Sequence, residues 1–92
     1  MTIIYIPTKE SFDIEVTRIS DVIKITDTIN PIEQNQYKTF EFCNMTEKEE
    51  YIIRRKYLHG IAMDSGVSIE SVDKNLNNDN IYIPEIGRIL MR

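Results

Sequence analysis

The sequence predicts an α+β fold: a small, mostly antiparallel sheet packed against one long helix and one short helix. Three observations carry this expectation. Phe12, Ile14 and Val16 alternate with Asp13, Glu15 and Thr17, the period-two pattern of a half-buried strand. Other β-branched and aromatic runs lie near both ends of the chain. Between them stands a strong helix start at Thr46.

The elements follow in order. Thr2 to Ile6 is β-rich and ends at Pro7, so it reads as a first strand. Its interior carries neither Lys nor Pro to blunt a pairable edge, which predicts a C2 homodimer covering it. Phe12 to Val16 is the next strand. Val22 to Ile29 is β-branched and reads as another, although Ile19, Val22 and Ile23 also permit a short helix. Asn30-Pro31 breaks the chain. Tyr37 to Phe42 is a further strand with Phe40 and Phe42 on one face.

Thr46 and Glu49 form the S/T-x-x-E signature of a capping box. Glu47, Glu49 and Glu50 fall in the first turn, where the helix dipole favours anions. Tyr51, Leu58 and Ala62, with Ile52 and Met63 beside them, are expected on the buried face. Gly60 is a weak point within the helix and Gly66 its stop. Ser68 then caps a short helix through about Leu76. Asn77 to Asn80 is a turn, and Ile81–Ile83 and Ile86–Met91 are closing strands.

Size and charge narrow the function. The chain has 92 residues, read as one domain over 1–92. No apolar run nears the roughly 20 residues that span a bilayer, and Met1 to Ile6 lacks the features of a signal peptide. The lone Cys43 fits a reducing, cytoplasmic setting and is expected to be a small buried apolar residue beside Phe42. The net charge is −4, which disfavours direct binding to nucleic acid. Residues 1–50 hold ten acids and five bases, whereas residues 51–92 hold five acids and six bases. The acidity therefore belongs to the first half.

Catalytic chemistry lacks its parts. One histidine, His59, and one cysteine, Cys43, come with no orienting third group and no second metal ligand at short spacing. The glycines stand apart at 60, 66 and 87, so no phosphate loop forms. The expectation is a binding protein with no catalytic residue, no metal and no cofactor. Its candidate partner-binding residues are Asp13, Glu15, Asp21, Asp27, Glu33, Glu47, Glu49 and Glu50. Carboxylates at i and i+2 of a strand lie roughly 6.6 Å apart, close to two phosphate steps of about 6.8 Å along one DNA strand. A row of them can stand in for phosphates at a basic groove.

Two local patterns offer alternatives. Ala62, Gly66, Val67 and Val72 within Gly60–Leu76 resemble the helix-turn-helix of repressor families, which implies a DNA-binding regulator. Glu70 and Asp73 then lie on the recognition helix, where they oppose phosphates, and Arg54, Arg55, Lys56 and Lys74 are its cations. Ile61-Ala62, Gly66-Val67-Ser68, Asn77 and Ile86–Leu90 resemble the core of a LysM domain, a βααβ fold that binds N-acetylglucosamine chains. Finally, the length, the composition rich in Ile, Asn and Lys, and the acidic balance resemble the small early antirestriction proteins of T-even phages, the Arn-like DNA mimics. That resemblance implies a dimeric acidic inhibitor aimed at a host DNA-binding protein or restriction nuclease, with no membrane partner.

Overall fold

The computed structural model describes residues 1–8, 14, 24–30 and 35–92. Within them the fold is α+β. The elements are β1 (Thr2–Pro7), β2 (Lys24–Asn30), β3 (Asn35–Glu41), α1 (Glu47–Ser65), α2 (Ile69–Asp73), β4 (Asn80–Ile83) and β5 (Gly87–Met91). The five strands form one sheet in the order β2-β3-β1-β5-β4, and every pairing is antiparallel.

β1 occupies the centre of that sheet. Ile3 lies opposite Phe40 of β3 on one side and Met91 of β5 on the other. Both edges of β1 are therefore hydrogen-bonded. This overturns the reading of Thr2–Ile6 as an exposed edge, and with it the ground for a dimer through that strand. Chain termini lock the same end of the sheet: the Met1 amino group donates to Phe42 O at 2.7 Å, and Thr2 N donates to Arg92 O at 2.7 Å.

Alternation along the strands puts one face of the sheet under the helices. Ile3 and Tyr5 are fully buried, while Ile4 and Ile6 on the opposite face are half-buried. Phe40, Ile81, Ile83, Ile89 and Met91 extend the buried face, and Ile53, Tyr57, Leu58 and Ile61 of α1 and Val72 of α2 close over it. Tyr57 is the keystone. Its ring meets Phe40 edge-on at 4.9 Å and Tyr5 at 6.5 Å, the T-shaped arrangement that aromatic quadrupoles favour.

α1 begins where the sequence says. Glu49 N donates to Thr46 Oγ1 at 3.3 Å and Thr46 N to Glu49 Oε1 at 3.4 Å, completing the capping box. It ends at Gly66, whose φ of 74° is left-handed and whose N–H returns to Ala62 O. Its buried stripe differs from the expected one. Leu58 and Ala62 are buried as predicted, but Tyr51, Ile52 and Met63 are exposed, and Ile53, Tyr57 and Ile61 take their place. α1 carries two apolar stripes, and the one that aligns Ile53, Tyr57 and Ile61 at strict i, i+4, i+8 spacing meets the sheet.

Other boundaries shift. α2 stops at Asp73 rather than near Leu76, and Ser68 makes no side-chain capping bond. Leu76 is nonetheless buried in the core, so the chain after α2 still packs inward. Cys43 is exposed, not buried. The expected strand at Phe12–Val16 falls, apart from Ile14, outside the described residues. No helix is long and apolar enough to cross a membrane among the described residues.

Candidate interaction surfaces

The eight predicted acidic residues divide into three groups. Asp13, Glu15, Asp21 and Glu33 lie outside the described residues. Asp27 sits on β2, in register with Lys38 of β3, so a cation occupies the cross-strand position. Glu47, Glu49 and Glu50 are brought together in the first turn of α1. Glu47 and Glu49 are exposed and Glu50 is half-buried. These three also have a local task, since they complement the positive end of the helix dipole and Glu49 closes the capping box.

The turn that suggested a helix-turn-helix is real as a turn. Gly66 reverses the chain, Val67 N donates to Ala62 O at 3.0 Å, and Val72 is fully buried against α1. The second helix, however, has five residues, about 7.5 Å of length, which is too short to present a recognition face along a major groove. Its exposed positions include Glu70 and Asp73. Asp73 is already engaged: its Oδ1 lies 2.6 Å from His59 Nε2. Arg54 is engaged too, bonding Asp79 at 3.0 Å and fastening α1 to the turn before β4. The succession β3-α1-α2-β4 matches the βααβ order of a LysM domain, yet β3 and β4 are separated in the sheet by β1 and β5.

Cys43 lines a surface pocket with Glu49, Ile52 and Ile53, and His59 lies seven positions beyond Ile52 on α1, about 10 Å along the helix. Among the described residues no three His, Cys, Asp or Glu side chains gather to hold a metal ion. The Tyr57 hydroxyl is buried without a hydrogen-bond partner among the described residues. Burial, and secondarily the neighbouring Tyr5, hold its phenol well above the ordinary tyrosine range.

Sequence reasoning missed one surface. The outward side of α1 forms an open groove of about 510 Å³, lined by Tyr51, Ile52, Arg55, Lys56, His59, Gly60 and Met63. Its apolar members were assigned to the core by their helical spacing, and spacing alone does not say which of two apolar stripes faces the sheet. The adjacent cations were the available signal.

Comparison with protein-family models, with curated proteins and with solved structures yields no match for this chain.

Proposed function

We propose that this protein binds and blocks a host nucleic-acid-binding protein, such as a DNA-binding protein or restriction nuclease, by presenting carboxylates where that partner expects phosphates. The observation that carries the reading is where the charge lies. Residues 9–34 hold six acids and three bases, a balance of −3 out of the total −4. Glu47 and Glu49, exposed in the first turn of α1, are further acids of the first half. A local excess of negative charge steers association with a basic groove. The homodimer that accompanies this role in the resemblance needs a surface other than β1, both of whose edges are paired.

The regulator reading has less support, because α2 is short and its exposed carboxylates oppose phosphates. The test is capture from host lysate on the immobilised protein. The expected result is retention of a nucleic-acid-binding protein that rising salt elutes. Retention that survives about 1 M salt, where the Debye length is about 3 Å, contradicts a charge-based contact.

A further inference from the structure

We propose that the outer face of α1 is a separate docking surface, built to take an acidic amphipathic helix of a partner protein. It stands independently of the DNA-mimic reading, because it rests on a patch of the opposite sign.

Three exposed apolar side chains form its floor: Tyr51 at 48%, Ile52 at 41% and Met63 at 53% exposure. Single exposed apolar residues are ordinary, but these three line one groove. Ile52, Lys56, His59 and Met63 follow i, i+4, i+7, i+11 spacing and so form one stripe, about 16 Å long. That length suits three turns of a partner helix laid alongside α1, packed helix against helix.

Charge selects the partner. Arg55 and Lys56 are exposed lining residues, and no carboxylate lines the groove among the described residues. In a protein of net charge −4, a groove whose described lining carries Arg55 and Lys56 and no carboxylate runs against the overall charge; the neighbouring carboxylate, Asp73, is already bonded to His59. Carboxylates flanking the apolar stripe of a partner helix would meet Arg55 and Lys56 while its apolar side chains cover Ile52 and Met63. A second copy fits less well, because a two-fold pairing of α1 brings Arg55 and Lys56 near their own counterparts. Nucleic acid also fits less well, because phosphates gain nothing from Ile52 and Met63, which are exposed apolar side chains.

The test is an NMR titration of the ¹⁵N-labelled protein with a synthetic amphipathic helical peptide of about 16 residues, four turns or more. The peptide carries leucines on one stripe and glutamates flanking it. A glutamine-for-glutamate version and a short DNA duplex are the comparison arms. Expected are saturable shifts centred on Tyr51 to Met63, and weakening by at least about tenfold for the glutamine peptide. The Arg55→Glu/Lys56→Glu protein, verified as folded by circular dichroism, should lose the same binding. Shifts that map elsewhere, no saturation, or equal affinity for the glutamine peptide overturn the proposal. So does tighter binding of the duplex on this face. Sedimentation showing a dimer that Ile52→Glu or Met63→Glu dissociates also overturns it, by assigning the groove to a second copy.

Discussion

His59 Nε2 and Asp73 Oδ1 stand 2.6 Å apart and clasp the end of α2 to the middle of α1. Val72, fully buried beside Asp73, supplies the apolar half of the same joint. The clasp lies at the surface, with the two side chains 23% and 42% exposed. Water screening therefore limits its worth. A double-mutant cycle with His59→Ala and Asp73→Ala, followed by urea denaturation, should give a coupling below about 1 kcal/mol. Val72→Ala should cost more, about 1–3 kcal/mol, because it opens a cavity between the helices. The reverse ranking would mean that the polar clasp, and not the buried valine, holds α2 in place.

Tyr57 makes a prediction about pH. Its phenol is held above the ordinary tyrosine range by burial and then by Tyr5. The folded chain therefore keeps a proton that the unfolded chain sheds near pH ~10. Stability from this group is complete below that value and declines as pH rises from there towards the folded-state pKa. Tyr57→Phe keeps the ring contacts with Phe40 and Tyr5 and removes a hydroxyl that has no partner among the described residues. The variant should be at least as stable near neutrality, by up to about 1 kcal/mol, and should lose less stability above pH ~10. Urea midpoints measured at both pH values check this. A loss above about 1 kcal/mol at neutrality would mean the hydroxyl is bonded.

Gly87 leaves no room for a side chain. Its φ is 127°, and a Cβ there would stand 2.2 Å from Ile6 O and 2.7 Å from Pro7 Cα. Both contacts are backbone of the central strand, so no side chain can swing away. Gly87→Ala should destabilise the fold by more than about 3 kcal/mol or prevent its accumulation. Gly66→Ala, with φ of 74° but open space around the added methyl, should cost only about 1 kcal/mol. Thermal melts of the pair measure the difference, and equal effects would contradict the sheet register at Gly87.

The sequence carried local information well and non-local information poorly. The capping box at Thr46 and Glu49, the stop at Gly66 and the strand at Thr2–Ile6 were legible because each is written within a few residues. The place of β1 in the sheet was not legible. It depends on β3 and β5, whose residues pair with it from 33 to 39 and from 80 to 88 positions away in the chain. The face of α1 was half legible, since two apolar stripes compete and only contact with Tyr5 and Phe40 selects the one bearing Tyr57. Cys43 was misplaced because composition favours burial of cysteine, whereas here it follows Phe42 in the exposed connection to α1. Of the candidate site, Glu47, Glu49 and Glu50 gather as their spacing requires, and Asp27 belongs to β2.

Charge reversal separates the readings of the acidic half. Asp13→Lys/Glu15→Lys should weaken binding to a captured host protein by about tenfold or more, mainly through a slower on-rate. Glu70→Lys/Glu85→Lys, two exposed carboxylates of the nearly neutral second half, should change it little. Surface plasmon resonance at two salt concentrations reads both effects. Equal sensitivity at the two sites would leave only a general charge effect and no acidic docking face.

Competition with duplex DNA tests the central claim most directly. The captured host protein is bound to the immobilised chain, and duplex DNA is titrated in. DNA should displace the captured protein in proportion to its own affinity for that protein, while the chain itself should bind no DNA at physiological salt. Simultaneous binding of DNA and this chain by the captured protein, or salt-sensitive binding of DNA by the chain alone, would contradict that claim.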